Sequence, residues 1–352
     1  MKCDDITHLE LKQEIIKQFE NDTIQIMFRN DSPKEWEFAL KEHSKYSIFH
    51  SNNFLNYQIV YQNRDDTNYV DFSFMLVKKN IVIAAIPTFL YLNDRLGDRI
   101  LIEKVYINEI LQEKSTLPQI KQYLENGFQR IVLSKNHHIK IFEILGINSF
   151  MNNGSCIESI AEHFNSSFSS VEKMYIKMDL PLEEIRKTIR KSYKSIINKG
   201  EKTYEIGILD KRNFTSNTWN QFINLHIEVS GRLTRPLSTW ELQAEQIRAG
   251  EAFLIYGLES SIMVGASFFI SNDVEAYYAV GAYNRKLKIP ISHCLIYQAI
   301  RYLKDTDIRY LYLGEDFAES KEISNKEMSI IYFKKGFANY IVQSRNLRFI
   351  VE

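Results

Sequence analysis

The residues of greatest chemical interest lie near the end of the sequence, in the stretch Phe333-Lys334-Lys335-Gly336-Phe337. An apolar approach, adjacent lysines and a glycine turn can place an ammonium group at the rim of a pocket. A lysine in that position can neutralise phosphate, or stabilise the oxyanion that forms when an amine attacks an ester or thioester carbonyl. The alternative is a strand end that carries surface lysines, so the pattern alone leaves two interpretations open.

A second concentration of charge lies between Ile185 and Lys199, where the sequence contains basic residues and no acidic one. Such a cluster suits a phosphorylated partner, for example a tRNA or a nucleotide diphosphate. A cationic helix face that only contacts solvent is the alternative. The residues of this cluster that we expect to hold a phosphorylated substrate are Arg186, Arg190 and Lys194.

A third candidate is the segment from Tyr277 to His293, in which a strand leads through a basic loop to the start of a helix. Ser292 has the residue type of an N-cap, and free amide groups at a helix N-terminus favour phosphate or carboxylate. Arg285 and Lys286 add positive charge, and Tyr278 on the strand is a candidate pocket residue. The loop lacks the glycines of a close phosphate cradle, so an ordinary solvated loop is the competing interpretation.

The polar stretch between His226 and Arg235 is read as a loop, in which Arg232 and Arg235 are candidates for binding a carboxylate or phosphate. The sequence leaves open whether His226, His293 or Glu315 acts as a base. No GxSxG, HExxH, Walker or GxGxxG motif occurs in the required context, so hydrolase, metalloprotease, NTPase and dinucleotide-enzyme functions have no support.

The elements that must position these residues follow from apolar periodicity. Residues 70–77 and 81–89 read as two strands joined by a hairpin-like turn at Lys78-Lys79-Asn80, and one helix with an apolar face follows Pro181 and stops at Gly200. Further predicted helices cover 34–43, 117–127 and 292–303, and further strands cover 174–180, 252–257, 262–270, 275–280 and 308–313. This order predicts a mixed α/β (α+β) fold with sheets covered by helices.

The bulk composition narrows the class of protein. A chain of 352 residues favours two domains, placed here at 1–175 and 176–352. Lys+Arg and Asp+Glu both total 44, which leaves no global field for DNA or other polyanions. Cys3, Cys156 and Cys294 have no metal-type or disulfide spacing. The cysteine spacing leads us to expect no metal site. An acidic N-terminus and no apolar run of membrane-spanning length lead us to expect a cytoplasmic protein without a transmembrane segment.

Taken in order, these features resemble the C-terminal half of the FemAB family over about residues 180–345. The resemblance rests on the basic helix, the strand Gly265-Ala266-Ser267-Phe268, Tyr278 to Ala282, Tyr310-Leu311-Tyr312-Leu313-Gly314 and the Phe333–Phe337 stretch. That family comprises peptidoglycan interpeptide-bridge aminoacyltransferases and related acyltransferases, built from two tandem domains of the GNAT (N-acetyltransferase) fold. Phe54 and Gln58 depart from the aromatic-then-lysine pattern of the peptidoglycan enzymes, which argues against a UDP-linked muropeptide as acceptor.

The resemblance implies two GNAT-like domains and a transferase that moves an activated acyl group to an amine. The donor would be acyl-CoA or aminoacyl-tRNA, with no tightly bound cofactor. The acceptor would be a small, lipid-linked or nucleotide-linked precursor of the cell envelope. The catalytic lysine of the family corresponds to Lys334. The alternative is a non-catalytic GNAT-like module that binds a nucleotide-sugar or a protein partner, favoured by the glycine-poor loop at Arg285.

Overall fold

The computed structural model describes residues 3–42, 46–63, 67–93, 98–103, 105–107, 117–134, 139–148, 165–316 and 323–351. The chain forms two compact units, of which the first contains Met1–Tyr46, His50–Ser170 and Gln343–Glu352. The second unit contains Ser47–Phe49 and Val171–Val342. Both combine helices with mixed sheets, which confirms the expected α/β class; the domain boundary at residue 175 stays a prediction.

The first unit covers its sheets with helices. Its two groups of strands have the orders β1-β3-β4-β7 and β15-β8-β6-β5-β2. The helices are α1 (Cys3–Phe19), α2 (Pro33–Lys41), α3 (Asn52–Gln62) and α4 (Leu117–Leu133). The strands are β1 (Gln25–Phe28), β2 (Thr67–Asp71), β3 (Phe74–Lys78), β4 (Ile81–Ile86), β5 (Thr88–Asn93), β6 (Arg99–Ile102), β7 (Tyr106–Ile107), β8 (Ile141–Asn148) and, from Gln343 onward, β15 (Tyr340–Ile350).

The hairpin expected at residues 78–80 is present. Lys79 and Asn80 lie between β3 and β4 and adopt positive φ angles of 50° and 62°, as tight hairpin turns require. Each of the two predicted strands is wrong in its length, however, since each one is split between two sheets. Pro87, which has no N–H group, separates β4 from β5. On the other arm, the Asp71 carboxylate accepts the N–H of Ser73 at 2.8 Å and ends β2.

The same Asp71 carboxylate anchors a buried polar network. Arg29 is 2% exposed, and its Nε donates to Asp71 Oδ2 at 2.5 Å. Its two terminal nitrogens donate to the side-chain oxygens of Asn30, Asn52 and Asn56 at 2.9–3.3 Å. Because every guanidinium nitrogen has an acceptor, this buried charge is compensated and acts as a structural anchor.

The second unit has an ordered sheet with helices on it. Its strand order is β10-β11-β12-β13-β14-β9. The strands are β9 (Asn165–Lys177, in this unit from Val171), β10 (Glu205–Leu209), β11 (Ala252–Glu259), β12 (Ile262–Ser271), β13 (Glu275–Tyr283) and β14 (Tyr310–Asp316). The helices are α5 (Leu182–Thr188), α6 (Lys191–Thr203), α7 (Ser216–Ser230), α8 (Leu237–Ala249), α9 (Ser292–Leu303) and α10 (Asn325–Lys335).

The single basic helix expected after Pro181 is wrong, because the segment forms the two helices α5 and α6. Ile189 and Arg190 between them have extended ψ angles of 136° and 132°. The N–H of Arg190 donates to the carbonyl of Gly336 at 2.9 Å instead of continuing a helix. The apolar period nevertheless identified the buried face correctly, since Ile185, Ile189 and Ile197 are all at most 1% exposed.

The expected stop at Gly200 is also wrong. Gly200 lies inside α6 and is buried, and a Cβ atom on it would lie 2.8 Å from Cβ of Cys294 in α9. Gly200 therefore permits close contact between two helices. Helix α9 itself has the expected bounds and the expected face, with Ile296, Ala299 and Ile300 fully buried.

Within the described ranges, no helix combines the length and apolar character needed to cross a membrane. The same residues contain no group of three or more His, Cys, Asp or Glu side chains arranged to hold a metal ion.

We expect Gly200→Ala to destabilise the protein although alanine is the better helix former. The added methyl group overlaps Cys294, and such overpacking costs about 1–3 kcal/mol, more than the ~1 kcal/mol of helix propensity gained. Ser195→Ala, an exposed position in the same helix, is the control and should leave stability within ~0.5 kcal/mol. Urea unfolding followed by circular dichroism measures both; a Gly200→Ala protein more stable than wild type would contradict the close contact.

Candidate active site

The most distinctive feature of the second unit is the separation of two neighbouring strands. β13 and β14 run parallel and are paired at Glu275–Tyr310, Ala276–Leu311 and Tyr277–Tyr312. Beyond the last pair, both strands continue, but not as partners of each other. We call the space between β13 beyond Tyr277 and β14 beyond Tyr312 the strand gap.

Irregularities on both strands accompany the strand gap. On β13 the register against β12 shifts, so that Phe269 faces Tyr278 and Phe268 faces Val280, leaving Ala279 as an extra residue. On β14 the register against β9 shifts in the same way around Leu313. A bulge bends its strand and increases its twist, so bulges directly after the last shared pair turn the two strands apart.

Lys334 lies at this strand gap. It is in the last turn of α10, and a Cβ atom placed on Gly314 of β14 would be 2.6 Å from its Nζ. The same ammonium lies 5.5 Å from the ring centroid of Tyr278 on β13. Gly314 has φ +121°, a conformation that glycine alone adopts readily. The lysine thus reaches both diverging strands because β14 has no side chain at that position.

The environment of Lys334 lowers its pKa. Burial of most of the side chain lowers the pKa of Lys334 to about 8, and the carboxylate of Glu315 only partly opposes this change. Among the described residues, no oxygen accepts a hydrogen bond from its ammonium. A half-buried ammonium with unused donors favours an anionic ligand or a developing negative charge.

The neighbouring lysine has a different role. Lys335 Nζ lies 2.6 Å from Asp316 Oδ2 and 3.1 Å from Glu172 Oε2. The hydrogen bond to Asp316 raises the pKa of Lys335. Its charge is therefore already paired, which distinguishes Lys334 as the lysine able to bind a ligand.

Four aromatic side chains hold the end of α10 in place. We call Tyr193, His293, Phe333 and Phe337 the aromatic box; the His293 ring lies 4.4 Å from that of Tyr193 and 5.0 Å from that of Phe333, both edge to face. A Cβ atom on Gly336 would lie 2.1 Å from the Tyr193 ring, so only glycine permits this contact. The box fixes the helical turn that carries Lys334.

The alternative interpretation of residues 333–337 as a strand end is wrong. Phe333 to Lys335 form the last helical turn, and Gly336 is the C-cap, with a right-handed φ of −69°. Ser324 begins this helix with a capping box, since its hydroxyl accepts the N–H of Glu327 while the Glu327 carboxylate accepts the N–H of Ser324.

The basic residues predicted on the former single helix are engaged locally. The guanidinium of Arg190 donates to the Tyr193 hydroxyl at 2.7 Å and lies 3.7 Å from the ring centroid of Tyr332. Arg186 lies over the Tyr297 ring at 4.6 Å, and Lys194 donates to the carbonyl of Lys187 at 3.0 Å. Through Tyr193, Arg190 is the member of this set in contact with the aromatic box.

The polar stretch predicted as a loop from His226 to Arg235 is helical in its first half, since α7 continues to Ser230 and Gly231 caps it with φ +72°, and is irregular from Gly231 to Arg235. Arg232 is exposed, whereas Arg235 is buried. The Arg235 guanidinium lies over the Trp240 ring at 4.2 Å and donates to Gln243 Oε1 at 3.3 Å. These contacts place Arg235 among α7 and α8, and its assignment to a substrate stays a prediction.

The basic loop after β13 is exposed at Arg285 and Lys286 and leads to α9 as expected. The N-cap prediction is wrong, because Ile291 occupies that position and the Ser292 side chain makes no capping hydrogen bond. The Ser292 hydroxyl instead lies 3.4 Å from Nδ1 of His293.

The candidate bases have low proton affinity. Burial, followed by the charge of Arg190, lowers the pKa of His293 to about 4. Burial and Arg235 lower the pKa of His226 to about 4 in the same way. Both imidazoles are therefore neutral at pH 7, and their enclosed positions suit structural roles. Glu315 lies 3.8 Å from the Lys173 ammonium.

Several residues at the strand gap were not identified from the sequence as candidates. Gly314 and Gly336 each permit a close approach by a side chain from another element, and Gly281 permits a close approach by Tyr278 and Tyr283 of its own strand. Tyr283 and Ser267 contribute hydroxyls next to Tyr278. The glycines at strand and helix ends were a usable signal for close contacts, but their partners depend on tertiary packing.

Comparison with known proteins identifies the fold. The chain shares the fold of FemX, which confirms the resemblance to FemAB proteins at the level of the fold. The crystal structure of FemX matches with a TM-score of 0.65 over 93% of this chain and 97% of that one, at 10% identity. A conserved protein of unknown function from Bacteroides thetaiotaomicron matches with a TM-score of 0.54 over 92% and 98% of the two chains, at 13% identity. No protein-family model matches the sequence, and a comparison with curated proteins finds no significant match.

We predict that one lysine titrates near pH 8. In a protein labelled with ¹³C-lysine, one side-chain resonance should have a midpoint near 8, because burial disfavours the charged form of Lys334. Lys334→Arg should remove that resonance and no other. A spectrum in which every lysine titrates at its ordinary value would contradict the position of the side chain.

We also predict that stability falls as the pH drops from about 6.5 to 4. An unfolded histidine keeps its ordinary pKa of 6.5, while His293 in the folded protein has a pKa of about 4, so the unfolded chain binds the extra proton in this window. His293→Phe keeps an aromatic ring in the box and should reduce the loss of Tm with acid. His226 has the same shift and should account for part of the remaining slope. An unchanged slope in His293→Phe would contradict the burial of a neutral imidazole.

Proposed function

We propose that this protein is an acyl- or aminoacyltransferase that moves an activated acyl group to an amine on a sugar or peptide precursor of the cell envelope. The observation that carries the proposal is the Lys334 ammonium, which faces the strand gap without a hydrogen-bond acceptor among the described residues. The resemblance to FemAB proteins and the fold shared with FemX support the reaction class. We propose that the protein carries out this reaction in the cytoplasm.

The strand gap supplies a binding mode for the donor. The edges of β13 and β14 that diverge after Tyr277 and Tyr312 present backbone N–H and C=O groups that are not paired with each other. An extended donor that contains amide groups can pair with such an edge as an added strand does. This arrangement would place an acyl carbonyl between Tyr278 and Gly314, within reach of Lys334.

The reaction follows from this placement. The acceptor amine attacks the acyl carbonyl, the new C–N bond forms, and the carbonyl oxygen acquires negative charge. Collapse of the tetrahedral intermediate breaks the bond to the leaving group, which is a thiolate from CoA or a ribose oxygen from tRNA. The amine proton leaves to that group or to water. Holding both substrates together supplies much of the rate, and the Lys334 cation stabilises the charge that develops.

Both donors carry phosphate, which the cations around the site are suited to bind. Arg190 lies beside the aromatic box, and the exposed Arg285 and Lys286 lie on the loop that continues β13. The proposed set of binding residues also includes Arg186, Lys194, Arg232, Arg235 and Tyr278. We infer that the donor is a substrate, with no tightly bound cofactor, and that DNA is not a partner.

The donor class can be tested directly. Thermal-shift measurements with acetyl-CoA, a UDP-sugar and bulk tRNA report which class stabilises the fold. Transfer of label from [¹⁴C]acetyl-CoA or from tRNA charged with ¹⁴C-amino acids to amine-containing envelope precursors then reports the reaction. Stabilisation by a UDP-sugar with transfer from neither donor would instead support a non-catalytic binding module.

Lys334→Ala should lower the rate of transfer by ~100-fold or more while the protein keeps its fold, because one electrostatic contact to a developing oxyanion is lost. Lys326→Ala is the matched control, since it removes an exposed lysine from the same helix. Its rate should equal that of wild type. Full activity in a folded Lys334→Ala protein would remove this lysine from the mechanism.

A further inference from the structure

Three hydroxyl groups form a chain beside the strand gap. The Tyr283 hydroxyl lies 2.7 Å from Ser267 Oγ and 2.7 Å from the Tyr278 hydroxyl. Tyr278 and Tyr283 are five positions apart on β13, a spacing that would place them on opposite faces of a regular strand. The extra residue Ala279 restores the same face, so the bulge is what brings the two hydroxyls together.

The chain is closed at one end. Ser267 is fully buried, and its hydrogen bond to Tyr283 satisfies it. Three hydroxyls have three hydrogens, and two of them are used in the hydrogen bonds of the chain, so among the described residues one hydrogen remains to be donated. If the unused hydrogen were on Ser267, a buried donor would have no acceptor and no solvent to replace one, which is unfavourable. The remaining hydrogen therefore belongs to the tyrosine pair.

At the other end of the chain, the tyrosine hydroxyls lie over Gly281. A Cβ atom on Gly281 would lie 2.1 Å from the Tyr278 hydroxyl and 2.7 Å from the Tyr283 hydroxyl. Gly281 is itself exposed, and it lies on β13 beyond the last residue paired with β14. The absence of a side chain at Gly281 is thus what leaves room for the hydroxyls at the strand gap.

We propose that the Tyr278–Tyr283 pair donates this hydrogen to the carbonyl oxygen of the acyl group during transfer, with Ser267 as the positioning residue. This inference rests on the proposed acyl transfer and adds a neutral donor to the Lys334 cation. The hydrogen is shared with the developing oxyanion and is not transferred, so no acid or base is consumed. A preorganised donor aimed at a charge that appears only in the transition state acts on kcat.

The tyrosines suit the role of a donor that keeps its hydrogen. Burial raises the pKa of Tyr278 well above its usual value of 10. Burial also raises the pKa of Tyr283 to about 12, although its two hydrogen bonds oppose that change. Both hydroxyls remain protonated at any pH at which the enzyme would operate, and the buried serine gives no exit for a proton.

The test compares hydroxyl deletions in the same sheet. Tyr278→Phe and Tyr283→Phe should each lower kcat by ~100-fold with KM changed less than ~3-fold, because the contact is made mainly in the transition state. Ser267→Ala should lower kcat only ~5-fold, as expected for the loss of one neutral positioning hydrogen bond. Tyr256→Phe in β11 is the control for removing a tyrosine hydroxyl and should match wild type. Tm values confirm that each variant is folded.

The outcomes separate this inference from the proposed function. Wild-type protein is assayed first with [¹⁴C]acetyl-CoA and with charged tRNA, and transfer from neither would overturn the reaction and the hydroxyl role together. Active wild type with fully active Tyr278→Phe and Tyr283→Phe would overturn the hydroxyl role alone. A rise in KM at constant kcat would also overturn it, because it would show contact with the ground state only. If one tyrosine variant fails to fold, the other tyrosine decides the result.

Discussion

The geometry of the candidate site depends on the point at which β13 and β14 stop pairing. A parallel pair of strands normally continues for as long as both chains remain extended, because each added residue satisfies further backbone groups. Here Ala279 and Leu313 introduce register shifts on the two strands just after the pair Tyr277–Tyr312. The backbone groups released in this way, and the side chains that converge on them, define the candidate site.

Close contacts at glycine make the remaining arrangement possible. Gly314 admits the Lys334 ammonium, Gly336 admits the Tyr193 ring and Gly281 admits two tyrosine hydroxyls. In each case the side chain that occupies the space belongs to the candidate site or to the aromatic box. The site is thus formed as much by positions that lack a Cβ atom as by charged groups, which explains why it contains no recognisable catalytic motif.

Much of the fold could be predicted from the sequence, since apolar periodicity identified helix α9 to the residue and the buried face of α5 and α6. The errors occurred where a local group competed with regular backbone pairing. The Asp71 carboxylate and Pro87 split two strands, and the carbonyl of Gly336 captured the N–H of Arg190. Lys334 could be identified as a candidate from the Phe333–Phe337 stretch, whereas the residues that surround it could not be predicted. A bulge brings Tyr283 and Ser267 close to Tyr278, and no sequence pattern predicts that bulge.

The hydrogen bond from Arg190 to Gly336 has a mechanical consequence. It joins the break between α5 and α6 to the residue that ends α10, two positions after Lys334. The guanidinium of the same arginine donates to Tyr193 within α6 and lies over the ring of Tyr332 in α10, so two attachments link Arg190 to the end of the helix that carries the lysine. A phosphate group that draws the basic helices toward itself would pull on this turn. In the proposed function, occupancy of the donor's charged end would therefore be coupled to the placement of the Lys334 ammonium.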